Sequence, residues 1–168
     1  MKKLKFVLPF ILVAIVFSCT ETKEKKDVLI ILGVDAQKLY EENPQPTDLN
    51  NYCILFDDNG GSSPDGTLEN FKSNVFRGKR VTWQGIPINT EKDADYSIEI
   101  ESIDSKGDNT VLVNRQNTKK SKSKVTKAKV KGSDMSKKSE ETYTIKFSIT
   151  KDSITKTYTI DPKLKGNN

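Results

Sequence analysis

Cys19 is the residue whose setting specifies a reaction. It follows Ser18 at the end of an unbroken apolar run from Phe6 to Phe17, and Lys2, Lys3 and Lys5 stand before that run. A charged start, a short apolar run and a small residue ahead of a cysteine suit an export signal cleaved near that point, with the thiol as the reactive group left there. The other reactive groups are sparse. The chain has no histidine, which removes the commonest general base and the commonest zinc ligand. Cys53 is the second and last thiol, inside the apolar run Tyr52-Cys53-Ile54-Leu55-Phe56. A buried, inert thiol is expected there, because a nucleophile would need a neighbouring base and a polar surrounding.

Two further clusters invite a chemical reading. Asp57-Asp58-Asn59-Gly60-Gly61, with Asp65 beyond, gathers the oxygen ligands a calcium ion takes. The EF-hand spacing fails, since Gly61 stands where a ligand belongs and Leu68 where a glutamate belongs. Asn-Gly and Asp-Gly are also strong turn formers, so a structural turn is expected and calcium is the alternative. No metal site and no cofactor are predicted. Residues 119–138 hold nine lysines against Asp134. Lys120, Lys122 and Lys124 alternate, as do Lys127, Lys129 and Lys131, so each set would project from one face of an extended chain. A solvated edge that resists aggregation is one reading. A patch for anionic lipid or polysaccharide is the second, and these six lysines are its candidate residues. Nucleic acid is the third. It is not expected as a partner, because no aromatic is interleaved to stack on bases.

The first eighteen residues resemble a bacterial lipoprotein signal peptide, and Val16-Phe17-Ser18-Cys19 resembles its lipobox. The apolar run is roughly 18 Å long as a helix, too short to cross about 30 Å of hydrocarbon, and Pro9 inside it fits a processed signal better than a packed helix. Residues 19–27 are polar and read as a flexible tether. Cys19 is expected to carry the lipid, and the protein to sit in the cell envelope. Thr20 stands where an inner-membrane retention signal would place Asp, so the outer membrane is the expected location.

Charge is unevenly distributed. The formal net charge is +5, and removing the three signal-peptide lysines leaves +2. The 119–138 segment carries a local +8, so the rest of the processed chain is at −6. The result is an acidic body with one cationic segment. About 150 residues suit one domain with a real core. A single thiol after Cys19 leaves packing to hold it together.

The periodicity indicates strands. Val28 to Val34 is continuously apolar and reads as a central strand covered on both faces. Asp35 suits a helix N-cap, and Asn43-Pro44 ends the turn or two that follow. Tyr52 to Phe56 reads as a second buried strand, then the turn-rich loop 57–66, then strand-like runs at 67–75 and 79–84. Trp83 is expected in the core, with a sugar-stacking platform as the alternative. Tyr96, Ile98 and Ile100 alternate, and Thr110 to Asn114 is another β-branched run. Residues 143–160 read as a β-hairpin that Asp161-Pro162 stops. The expected fold is all-β, a single antiparallel β-sandwich, immunoglobulin-like or related, of seven to nine strands with little helix. The domain is expected over 28–163, with 119–138 as a Lys-rich loop or edge insert and 164–168 as a disordered tail.

Asp27-Val28-Leu29-Ile30, the Asn43-Pro44 element, Phe71-Lys72-Ser73-Asn74-Val75, Val81-Thr82-Trp83 and Ile160-Asp161-Pro162-Lys163 occur in an order that resembles the PixA/AidA inclusion-body protein family. The resemblance spans about 27–163. It implies a β-sandwich and supplies no catalytic residues. The expected role is a lipid-anchored envelope module that binds or supports and is not an enzyme. The alternative is an envelope hydrolase with a carboxylate or Ser/Lys centre.

Overall fold

The computed structural model describes residues 24–107, 111–113, 125–130 and 139–167. The signal segment, Cys19, and the lysines 120, 122, 124 and 131 lie outside the described residues. Ten strand segments run in chain order: β1 Val28–Val34, β2 Cys53–Asp57, β3 Lys72–Phe76, β4 Arg80–Pro87, β5 Ser97–Ser105, β6 Leu112–Val113, β7 Val125–Val130, β8 Glu140–Lys151, β9 Ile154–Ile160 and β10 Lys163–Asn167. Among the described residues one short α-helix, α1, spans Ala36–Glu42, and a 3-10 helix follows at Pro46–Asn51. Asp35 caps α1 by accepting the Lys38 N–H, and Asn43 ends it in the left-handed conformation at φ 44°. Among the described residues no helix is long and apolar enough to cross a membrane.

The strands form two sheets, a first in the order β2-β1-β4-β7-β6 and a second in the order β3-β10-β8-β5, with β9 also on β8. The inward-facing residues make one core. Alternation decides which residues enter it. Val28, Ile30, Leu32 and Val34 of β1 are buried, as are Val81 and Trp83 of β4, and Ile98, Ile100, Tyr143, Ile145 and Phe147 meet them from the second sheet. Gly85 marks a close approach of the layers, since a Cβ there would lie 2.8 Å from Ile98 Cγ2.

The sandwich is therefore all-β with little helix, but its sheets are mixed and not purely antiparallel. β1 pairs parallel with β4, and β3 pairs parallel with β10. The reason is the route of the chain. After β2 it crosses to the second sheet to form β3, and so re-enters beside β1 in the same direction. β2 is an edge strand, not a buried one: Ile54 and Phe56 face outward. The outer face of β1 is only half covered at Leu29 and Ile31.

Two expectations at the C-terminal half are corrected. Residues 125–130 are neither loop nor edge. β7 lies between β4 and β6, and Val130 at its end is fully buried. The expected tail from 164 is instead β10, with Leu164 fully buried. Asp161-Pro162 does not end the pairing. Ile160 opposes Ile145 and Lys163 opposes Thr142, so β9 and β10 keep one register along β8. Between them Pro162, which has no N–H to donate, still accepts the Tyr143 N–H through its carbonyl at 2.9–3.0 Å geometry typical of a sheet, here 3.0 Å. The hairpin turn ahead of β9 is closed by Asp152 and Ser153, both at positive φ, the signature of the tight turn that matches strand twist.

Candidate functional site

The turn-rich loop after β2 folds back across the outer face of the second sheet. Ser62 pairs with Lys72 through both backbone bonds, Ser62 N–H to Lys72 carbonyl at 3.2 Å and Lys72 N–H to Ser62 carbonyl at 2.9 Å. The loop and the sheet then enclose a polar groove of about 270 Å³, lined by Ser62, Pro64, Asp65 and Asn70 on one wall. Lys72, Asn74, Lys163 and Lys165 form the other. The parallel pairing of β3 with β10 sets Lys72 beside Lys163 and Asn74 beside Lys165. With a period of two, all four project to the same side.

Asp65 organises the loop wall. Its Oδ1 accepts the Thr67 N–H, the Thr67 hydroxyl and the Ser63 hydroxyl at 3.0, 2.8 and 2.9 Å. Its Oδ2 accepts the Asn70 amide at 2.7 Å. The Thr67 backbone bond, followed by the Asn70, Thr67 and Ser63 side chains, holds its carboxyl well below the usual carboxylate range. Asn70 passes the order on, since its Oδ1 accepts from Lys163 Nζ at 2.8 Å. Lys72 is paired to Glu140 at 2.6 Å. Lys165 is half-buried, and among the described residues it has no ion-pair or hydrogen-bond partner for its ammonium group. Asn74 is 3% exposed and donates to the Gly60 carbonyl at 3.2 Å, while its Oδ1 has no partner. Among the described residues the groove thus sets the unpartnered Lys165 ammonium beside Asn74, whose buried Oδ1 also lacks a partner.

The residues singled out from sequence fall in different places. Asp57 turns one oxygen to the Asn59 and Gly61 N–H groups at 2.9 and 2.7 Å. Asp58 accepts the Leu29 N–H at 2.9 Å. The 57–65 loop is therefore a set of side-chain-capped turns, and among the described residues no group of three His, Cys, Asp or Glu could hold a metal ion. Cys53 is a free, buried thiol, and burial, with Asp35 a smaller cause, pushes it up to about 12. Trp83 is 1% exposed and packs edge-on against Tyr143, so it belongs to the core and presents no platform to a sugar. Of the six candidate lysines, Lys127 and Lys129 are described, opposite Thr82 and Arg80 of β4, and Lys127 is exposed.

Sequence reasoning missed the groove and also a cation–aromatic cluster at the opposite end of the strands. Lys156 Nζ sits 4.5 Å over the Tyr40 ring and Lys151 Nζ 4.7 Å over Tyr96, and the two rings meet edge to face at 5.5 Å. Such contacts are individually weak where the ammonium is open to solvent. Their members lie far apart in sequence, and no local spacing announces them. The outward alternation of Lys163 and Lys165 was the one signal that could have found the groove.

A family described as a domain of unknown function, DUF8788, matches residues 26–155. No curated protein matches the sequence significantly. Among solved structures, the inclusion body protein PixA from Burkholderia cenocepacia is similar, with a TM-score of 0.55 over 86% of this chain and 97% of that one, at 12% identity. At that identity the likeness shows a shared fold, the one the PixA/AidA resemblance implied.

Proposed function

We propose that this chain, which belongs to the DUF8788 family, is a lipid-anchored envelope module that binds a small hydroxylated anion, such as a uronic-acid unit of an acidic polysaccharide. The observation that carries the binding reading is the juxtaposition in the groove of Lys165, whose ammonium has no partner among the described residues, and the buried Oδ1 of Asn74, which has none there either. A carboxylate suits the first and a hydroxyl donor the second. Binding is favoured over hydrolysis because the other ionisable groups are already engaged. Asp65 is tied by its own loop, Lys163 by Asn70 and Lys72 by Glu140. Each is held by a partner, where a general acid or base would have to face the substrate.

The anchor is proposed from Ser18-Cys19 and the short apolar run before it. With its lipid attached, the chain sits on the outer membrane. Two or more acyl chains make such anchoring stable, at about 0.8 kcal/mol per buried methylene.

Two measurements test the proposal. Metabolic labelling with a clickable palmitate should mark the wild type and not Cys19→Ala, and only the wild type should fractionate with membranes. Calorimetric titration with an oligogalacturonate should show binding that falls at least severalfold in Lys165→Ala, while the neutral galactose oligomer gives no heat. Equal binding of acidic and neutral sugars, or an unchanged Lys165→Ala, overturns the groove assignment.

A further inference from the structure

The outer face of the first sheet, opposite the groove, carries three of the four exposed large apolar side chains among the described residues. Ile54 is 53%, Phe56 42% and Ile88 53% exposed. Register sets Phe56 beside Ile31, and Ile54 beside Gly33, which in turn neighbours Ile86. Gly33 makes these residues contiguous: a Cβ there would lie 2.9 Å from Ile54 Cγ2 and 3.2 Å from Ile88 Cγ1, so the two isoleucines close over the bare backbone. Farther down the same face come Thr82 and the exposed Lys127 opposite it, then exposed Arg80. An apolar ridge with a cationic flank is the composition that partitions to an anionic bilayer surface.

The place where the described chain begins says which surface reaches this face. The Glu24 N–H is bonded to Asn59 Oδ1 at 3.0 Å, and Lys26 Nζ lies 3.6 Å from Asp58 Oδ2, two residues from Phe56. From Glu24 back to Cys19 is five residues, a reach of at most roughly 17 Å. A lipid on Cys19 therefore keeps the Val28 end of β1 within that distance of the membrane, the end that carries Thr82, Lys127 and Arg80, with Phe56 beside Ile31 midway along the strand and Ile54 and Ile88 at its Val34 end.

We propose that the outer face of the first sheet lies on the anionic bilayer that holds the lipid anchor. Ile54, Phe56 and Ile88 sit at the headgroup–acyl boundary, and Lys127 and Arg80 meet the headgroups. The groove on the second sheet then points away from the membrane, open to its ligand. This orientation rests on the lipid-anchor reading, and its test separates the two.

The acylated full chain is reconstituted in vesicles of phosphatidylcholine and phosphatidylglycerol. An environment-sensitive fluorophore is placed through Ile54→Cys, Ile88→Cys or Ile154→Cys. Cys53 is buried and Cys19 acylated, so the new thiol takes the label. Ile154 is the control, 63% exposed but at the hairpin tip between β8 and β9. The expected result is a blue shift, and quenching by nitroxide lipids, at 54 and 88 but not at 154. Labels at 54 and 88 as hydrated as the one at 154, or all three shifted alike, overturn the docking face while leaving the anchor standing. In parallel, unacylated Cys19→Ala protein is sedimented with the same vesicles. Adding Phe56→Asp should lower its residual binding roughly tenfold, the share of one buried aromatic. Phe56→Asp binding as well as its parent also overturns the face. Cellular Cys19→Ala retained as well as wild type overturns the anchor alone.

Discussion

Trp83 of the first sheet donates its indole N–H to the hydroxyl of Tyr143 in the second, at 3.1 Å, with both side chains buried. Their rings cross at 61° with centroids 5.7 Å apart. One contact thus joins the layers by packing and by a satisfied polar pair.

Tyr143→Phe removes the acceptor and leaves the Trp83 N–H buried without a partner. The cost is the desolvation of that donor, about 1–3 kcal/mol. A lower midpoint in chemical denaturation with an unchanged slope should be seen. A midpoint equal to wild type would mean that the pair contributes no net stability.

Cys53 should resist labelling in native buffer and react rapidly in denaturant. Its thiol is pushed up to about 12 from the ordinary 9.0, so the folded form stays protonated where the unfolded chain ionises. The native state then binds more protons between pH of about 9 and 12, and stability falls as pH rises through that window. Cys53→Ala, followed by denaturation between pH 8 and 11, should show a shallower alkaline decline than wild type. An identical slope counts against the burial of the thiol.

Asp65 is the fastener of the groove's loop wall. Its carboxyl is held below its usual range by bonds made only in the folded loop. That contribution is present above its unfolded value, near 3.8, and is lost as pH falls below it. Asp65→Ala should accelerate amide hydrogen exchange at Thr67 and Leu68 while leaving β8 protected. Unchanged exchange would show that the turn holds without the carboxylate.

Leu164 tests β10. It is fully buried, and Leu164→Ala should destabilise by about 2–5 kcal/mol. Truncation after Pro162 should prevent cooperative thermal unfolding altogether, because β3 would lose its parallel neighbour. A truncated chain that melts like wild type would mean that this strand is dispensable.

Much of this body was legible locally. Val28 to Val34, the Asp35 cap, the alternation at Tyr96-Ile98-Ile100 and the hairpin from Tyr143 each follow from a period of two or from one capping side chain. The inert setting of Cys53 and the turn character of residues 57–66 follow from their neighbours in the chain.

Pairing direction and the groove were not legible, and the reason is sequence separation. β1 meets β4 in parallel only because the chain visits the other sheet in between. Proline's missing donor predicted an end at Asp161-Pro162, yet strand pairing also uses acceptors, and Tyr143 supplies the donor from the neighbouring strand. Lys163 and Lys165 become groove residues only when β10 lies beside β3, some ninety positions earlier. Periodicity decides which way each side chain points along its own strand. Which side chains then share a wall depends on which strands come to lie side by side, and that is decided by burying the whole core at once.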